Sequence, residues 1–125
     1  MPDNSAYNDL DLSFLYEIAD GSNEFIVESI TMFLDQTPEL LTLVAEALDN
    51  GDWAAAASSA HKMKSNLGFF GMLTSQALIQ DVELLCKAGA QSPEDVSLLF
   101  NEAKSLIAGS MADLEQIKAE KSAEL

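Results

Sequence analysis

The chain has 125 residues, of which 21 are acidic and six are lysine, so its formal charge at pH 7 is −15. This length fits one domain with a hydrophobic core, and the apolar content of 48% argues against a disordered chain. The acidic balance disfavours nucleic acid as a partner, and no apolar run reaches the roughly 18 residues of a membrane span.

Apolar residues recur at helical spacing along the chain, and no segment alternates with the period of two that is typical of a strand. Sparse glycine, proline and Asn-Gly positions divide this pattern into one short and four long segments. The sequence therefore predicts a single all-α domain over 1–125, an antiparallel four-helix bundle with a short extra N-terminal helix. The predicted helices span about 11–19, about 23–49, about 52–69, about 72–88 and about 93–118.

The expected helix boundaries follow from local signals. Asp11 or Ser13 is expected to cap the leading helix. The apolar face of the next helix continues on both sides of Pro38, which indicates one helix kinked there, with two helices meeting at the proline as the alternative. Asp52 is a candidate cap for the third segment, and a capping Ser92 before a proline and two acids predicts the start of the last helix.

The third predicted segment carries the only histidine of the chain, His61. At about 100° per residue, His61 lies roughly 140° from the centre of the apolar stripe, and Ser65 and Gly68 share this outer face. Lys64 lies at the flank, one turn from the imidazole. Ala54, Ala57 and Ser58 continue this exposed patch toward the N-terminus, and Ala57, Ser58 and Lys62 are expected to contact a docking partner.

No Asp or Glu occurs from Trp53 to Gln80. We therefore expect a surface around His61 that is free of negative charge and suits a dianionic group. An exposed neutral imidazole is a nucleophile that a phosphoryl donor can approach in line, and Lys64 could offset part of the phosphoryl charge. Glycine inside a helix costs about 1 kcal/mol relative to alanine. Gly68 is accordingly interpreted as space for a partner's backbone, with a helix end as the alternative.

Residues 60–71, Ala-His-Lys-Met-Lys-Ser-Asn-Leu-Gly-Phe-Phe-Gly, resemble the core motif of histidine-containing phosphotransfer (HPt) domains. That motif is Ala-His-x-Leu-Lys-Gly, followed by small residues and a glycine ten positions after the histidine. Here Met63 replaces the usual leucine and Ser65 the usual glycine. The resemblance, which extends from residue 10 to about 110, implies that His61 accepts a phosphoryl group from a receiver aspartyl phosphate and passes it to another receiver aspartate. It also implies that Lys64 stabilises this group and that Gly68 permits close approach.

The resemblance further implies a phosphoryl carrier without catalysis of its own, in agreement with the lack of a nucleotide-binding motif. No cofactor is expected in this chain, and Mg²⁺ is expected in the partner receiver domain of a response regulator or hybrid histidine kinase. Glu83 corresponds to a polar position that faces the histidine, where a bond to the second imidazole nitrogen would fix the tautomer. Phe69 and Met72 would suit docking against a receiver, and packing under the leading helix is the alternative.

Other function classes fit the sequence less well. A helical interaction module, including an inactive HPt relative, is the main alternative, although it has no use for the pairing of His61 with Lys64. A di-iron bundle needs a glutamate three residues before the histidine, where Ser58 stands. The lone Cys86 is expected to be buried, which disfavours a Cys–His hydrolase and fits a reducing cytoplasm. The absence of a signal-peptide pattern also favours the cytoplasm, and the high charge favours a monomer.

Overall fold

The computed structural model describes residues 9–125, and within that range the chain forms five helices and no strand. The four long helices make a bundle in which α3 and α5 each pack against both α2 and α4, while the short α1 packs on α2. The predicted all-α bundle with a short N-terminal helix is confirmed. The helices are α1 (Ser13–Ala19), α2 (Asn23–Asp49), α3 (Trp53–Phe69), α4 (Leu73–Lys87) and α5 (Pro93–Ala123).

Two of these helices bear on the predictions from sequence. Helix α2 continues without a break through Pro38, which lies on an exposed side where water can reach the carbonyl that the proline leaves unbonded. Helix α5 extends to Ala123, beyond the predicted end near residue 118. Its last turns are held by the buried Ile117 and by Lys121, whose Nζ lies 5.5 Å from the centroid of the Tyr16 ring.

The helix starts are capped in different ways. The Asp52 carboxylate accepts a hydrogen bond from the Ala55 backbone N–H at 3.2 Å, as the sequence predicted. The prediction that Asp11 or Ser13 caps α1 is wrong, because Leu12 occupies the N-cap position and makes no side-chain cap; Asp11 instead accepts from the backbone N–H and the hydroxyl of Ser13, at 3.0 and 2.6 Å. Ser92 occupies the predicted N-cap position of α5, and proline and two acidic residues follow as predicted, but the Ser92 side chain makes no capping hydrogen bond.

The core is formed by the apolar stripes of the helices, and the stripe predicted for α3 is buried along its whole length. This burial turns the opposite face of α3 toward solvent, which fixes the side of the bundle on which His61 lies. The buried members of the α3 stripe are Ala56, Ala60, Met63, Leu67 and, just after the helix, Phe70.

The segment that precedes α1 ties the turn between α3 and α4 to the bundle. The Asp9 carboxylate accepts hydrogen bonds from the backbone N–H groups of Thr74 and Ser75 at the start of α4. Asp9 also exchanges hydrogen bonds with the Ser110 hydroxyl of α5. Two residues on, the Asp11 N–H donates to the Phe70 carbonyl at 3.1 Å. This segment therefore holds the end of α3 and the start of α4 in place.

Replacement of Gly71 by alanine should destabilise the protein strongly. Gly71 has φ +67°, and a Cβ atom there would overlap the backbone of Asp11. Gly51→Ala is the matched control, because Gly51 has φ +68° but a Cβ there would meet only Trp53, at 3.8 Å. We expect Gly51→Ala to lower the free energy of unfolding by about 1 kcal/mol and Gly71→Ala by roughly 3 kcal/mol. Urea unfolding measures both, and equal losses would contradict the tight contact with Asp11.

Candidate functional site

His61 lies on α3 at the edge of the groove between α3 and α4, with 67% of its side chain exposed. Its Nδ1 atom lies 3.0 Å from Oε2 of Glu83, which projects from α4. The imidazole is therefore exposed, as predicted. On the side of the ring that faces the bundle, Nδ1 is in contact with Glu83.

Glu83 is almost fully buried, at 2% exposure, and is held by two lysines in addition to His61. Lys64 Nζ lies 2.7 Å from Oε1, and Lys87 Nζ lies 2.9 Å from Oε2. Contact with Lys64 is the largest influence on the pKa of Glu83, which is lowered from 4.5 to about 2. Burial opposes this change, while Lys87 and His61 also lower the pKa. The carboxylate is thus ionised at neutral pH.

The ionised carboxylate determines the tautomer of the imidazole. A carboxylate can only accept a hydrogen bond, so Nδ1 of His61 carries the hydrogen and donates it to Glu83. Nε2 has no hydrogen-bond partner among residues 9–125. In the neutral ring, Nε2 therefore presents its lone pair to solvent as a nucleophile.

The groove beside His61 has a volume of about 550 Å³ and opens to solvent. The expectation of a surface without negative charge is wrong at one position, since Glu83 contacts the imidazole directly. This carboxylate is buried beneath the ring and paired with two lysines, and Lys62 adds a third cation at the groove. The lining residues are Ala54, Ala57, Ser58, His61, Lys62, Glu83, Cys86 and Lys87.

Most of the residues predicted around His61 lie on the outer face of α3. Ser58, Lys62 and Ser65 are exposed, and Lys64 is half-buried beside Glu83. The expectation that Ala57 is exposed is wrong, because this methyl group turns toward α4 and is 5% exposed. It can contribute to the floor of the groove, where its small size keeps α3 and α4 close.

The two apolar residues predicted for docking lie elsewhere than expected. Met72 is fully buried, because α3 ends at Phe69 and a turn then redirects the chain. The Met72 N–H bonds the Leu67 carbonyl at 2.9 Å, and the side chain packs into the core. Phe69 is half-buried against Phe14 of α1, with ring centroids 5.4 Å apart. Phe69 therefore packs against the leading helix, which was the alternative considered from the sequence.

Gly68 makes room for a side chain of this chain. It is the last but one residue of α3, and a Cβ atom there would lie 2.6 Å from Nε2 of Gln76 on α4. That amide donates a hydrogen bond to the Lys64 carbonyl at 2.9 Å. The glycine thus permits α4 to bond the backbone of α3 one turn beyond His61.

The sequence interpretation missed two residues of the site, Gln76 and Lys87. Lys87 follows Glu83 by four residues on one helix, a spacing that brings opposite charges together and could have revealed the pair. Nothing in the sequence points to Gln76, because its contact depends on the distance between two helices. Cys86 is buried as predicted, and burial raises the pKa of its thiol.

A model of the Hpt domain family matches residues 28–120, which is most of the chain. This chain belongs to the Hpt domain family. It is therefore a phosphotransfer module of two-component signalling, in a family whose members are phosphoryl carriers that interact with receiver domains of response regulators and hybrid kinases. The resemblance found in the sequence is confirmed.

The fold of this Hpt domain is shared with a solved structure. The HPt domain of an Hpt sensor hybrid histidine kinase from Shewanella aligns with a TM-score of 0.75 over 90% of this chain and 96% of that chain. The two sequences are 23% identical, so this likeness concerns the fold. A search of curated proteins found no match.

Among residues 9–125, no helix is both long and apolar enough to cross a membrane. The same part of the chain contains no group of three or more His, Cys, Asp or Glu side chains placed to hold a metal ion.

We expect the free energy of unfolding to fall more steeply between about pH 5 and pH 2 in the wild type than in Glu83→Gln. The pKa of Glu83 is about 2 in the folded chain, against an ordinary value of 4.5. As the pH falls, Glu83 is protonated in the unfolded chain before it is protonated in the folded chain. The stabilisation from ionised Glu83 is therefore complete at a pH above 4.5 and is lost as the pH falls toward about 2. Urea unfolding at a series of pH values tests this, and parallel curves would contradict it.

Gly68→Ala should leave stability nearly unchanged. The helix gains about 1 kcal/mol, but the new methyl group displaces the Gln76 amide and loses its hydrogen bond, which is also worth about 1 kcal/mol. In a Gln76→Ala background the same substitution should stabilise the protein by about 1 kcal/mol, because only the helix gain remains. Thermal unfolding of the wild type, the two single variants and the double variant measures this coupling. It would be refuted if Gly68→Ala stabilised the protein equally with and without Gln76.

Proposed function

We propose that this Hpt domain accepts a phosphoryl group on Nε2 of His61 from the aspartyl phosphate of a receiver domain and passes it to the aspartate of another receiver domain. The single observation that carries the proposal is the state of the imidazole. Its Nδ1 is bound to an ionised, buried carboxylate, while the exposed Nε2 has no partner among the described residues.

The transfer step uses the lone pair of Nε2. Nε2 attacks the phosphorus atom in line, a nitrogen–phosphorus bond forms, and the bond from phosphorus to the aspartyl oxygen breaks. The aspartate leaves as a carboxylate with the electron pair of that bond. The hydrogen on Nδ1 stays in place, and the positive charge that develops on the ring faces the carboxylate of Glu83. In the onward step, a receiver aspartate attacks the phosphorus and the electron pair returns to Nε2.

Lys64 is placed to act on the phosphoryl group after transfer. It follows His61 by three residues, so its ammonium lies on the same side of α3 as the imidazole. The ammonium is partly exposed and lies 2.7 Å from Oε1 of Glu83, the carboxylate that also contacts the imidazole, and we propose that it turns from there to a group bound to His61. A phosphoryl oxygen paired with Lys64 would lose part of its negative charge.

The surface around His61 supports approach by a receiver domain. Apart from His61, α3 lines the groove with the small side chains of Ala54, Ala57 and Ser58 and with one long side chain, the cation Lys62. We propose that the receiver contributes the acidic pocket and the Mg²⁺ ion, which would neutralise the phosphoryl oxygens during transfer. On this proposal the chain supplies the nucleophile and no cofactor.

A cytoplasmic location and a monomeric state stay predictions from the sequence.

Labelled receiver domains test the proposal. Incubation of the full chain with receivers that carry radiolabelled phosphate should transfer acid-labile, alkali-stable label to the wild type and none to His61→Gln. Ser58→Ala is the control on the same helix face and should keep the label.

Loss of the label in both variants would point to damage to the surface rather than to the phosphoacceptor. Label that persists in His61→Gln would refute His61 as the acceptor. A wild-type chain that binds receivers but takes no label would instead be an interaction module without phosphoryl transfer.

A further inference from the structure

The buried carboxylate of Glu83 divides its two oxygens among three partners. Oε2 accepts a hydrogen bond from His61 Nδ1 at 3.0 Å and forms an ion pair with Lys87 at 2.9 Å, whereas among residues 9–125 Oε1 is paired with Lys64 alone, at 2.7 Å. The bond that fixes the imidazole therefore does not share an oxygen with Lys64. Lys64 can leave Glu83 without a change in the hydrogen bond that orients the ring.

We propose that Lys87 is a positioning residue that remains on Glu83 as its counterion, so that Lys64 is free to exchange between Glu83 and the phosphoryl group on His61. This inference rests on the proposed function of His61. Neither the motif around the histidine nor the exposure of the ring assigns a role to Lys87.

The positions of the two lysines favour these different roles, with Lys87 as the lasting counterion of Glu83 and Lys64 as the lysine that exchanges. Lys87 is on the same helix as Glu83, four residues later, and the order glutamate-then-lysine is the favourable one at this spacing. It is also the last residue of α4, where a positive charge interacts well with the helix dipole. Lys64 belongs to α3 and follows His61 by three residues, so the two side chains share one side of that helix. Lys87 is thus suited to remain on Glu83, and Lys64 to move.

Charge balance gives the physical reason. A buried carboxylate that loses its counterions is strongly destabilising. A phosphoryl group adds a charge of about −2 beside Glu83. With Lys87 absent, Lys64 alone would serve both the carboxylate and the phosphoryl group. Lys87 removes this competition, so the phosphoryl group can be neutralised while Glu83 stays paired.

The other ionisable groups near Glu83 do not replace Lys87. From α3 the groove is lined by His61 and Lys62, and from α4 by Cys86 and Lys87 itself. Helices α2 and α5, which pack behind α3 and α4, contribute none of the residues that line it. Within the described part of the chain, the lysines that contact Glu83 are Lys64 and Lys87, and these are the two that could exchange.

The test combines Lys87→Met, Lys64→Met and Glu83→Gln in the full chain, with Lys118→Met as the control. Lys118 lies in a groove between α2 and α5, on the opposite edge of the bundle, and carries the same charge. The probe is radiolabelled phosphoramidate, which needs no receiver: Nε2 attacks phosphorus, the nitrogen–phosphorus bond of the donor breaks and ammonia leaves. The rate of label uptake is measured for each single and double variant.

We expect Lys87→Met to slow uptake about tenfold, the effect of losing one charge-assisted contact. Lys64→Met should have little further effect in the Lys87→Met background, because Lys64 is then retained by Glu83. In the Glu83→Gln background, Lys87→Met should have almost no effect, and Lys118→Met should match the wild type. A Lys87→Met effect that persists in Glu83→Gln, or no effect in the wild-type background, would overturn the proposal.

A second measurement separates this proposal from the function of His61. NMR titration of the imidazole in the unphosphorylated protein should have its midpoint at higher pH in Lys87→Met, by roughly half to one pH unit, because one positive charge near the ring is lost. Lys118→Met should leave the midpoint unchanged. If the wild type takes no label, the proposed function fails, and the titration still decides the pairing of Lys87 with Glu83. An unchanged midpoint in Lys87→Met overturns it.

Discussion

The buried carboxylate of Glu83 is the interaction on which the site depends. Burial of one negative charge between two helices costs several kcal/mol unless cations compensate it. Here the compensation comes from both sides, with Lys64 on α3 and Lys87 on α4, and the imidazole of His61 joins them. The contact between the two helices and the orientation of the imidazole therefore depend on the same carboxylate. A change in the contact of α3 with α4 would change the tautomer and direction of the imidazole.

The small residues near the histidine serve this helix contact. Gly68 admits the Gln76 amide, which bonds the backbone of α3 one turn after His61. Ala57 is buried at the groove, where a larger side chain would separate α3 from α4. Gly71 allows the turn to pass close to the segment before α1. What looks in the sequence like space cleared for a partner is in part the space that the bundle needs to hold Glu83 against His61.

Helical periodicity was sufficient to predict the features that depend on a single helix. The buried stripe of α3 and the exposure of His61 depend only on the angle between successive residues, so the pattern alone revealed them. The predictions that Met72 and Ala57 are exposed were wrong, because burial at these positions depends on where a helix ends and how closely the next helix packs. Glu83 was identified only through the family resemblance. Lys87 was missed because its role depends on the burial of Glu83, which no local pattern of charges reveals.

The acidic composition and the basic site are compatible because charge acts locally. At physiological ionic strength, charges more than about 8 Å apart at the surface are largely screened. Two of the six lysines, Lys64 and Lys87, contact the Glu83 carboxylate, a third, Lys62, lines the same groove, and α3 itself contributes no acid. A phosphoryl group of charge about −2 on His61 would bring this region close to neutrality rather than to a new excess of negative charge. The acidic residues elsewhere, which give the whole chain its net charge of −15, would then not oppose a phosphoryl group on His61.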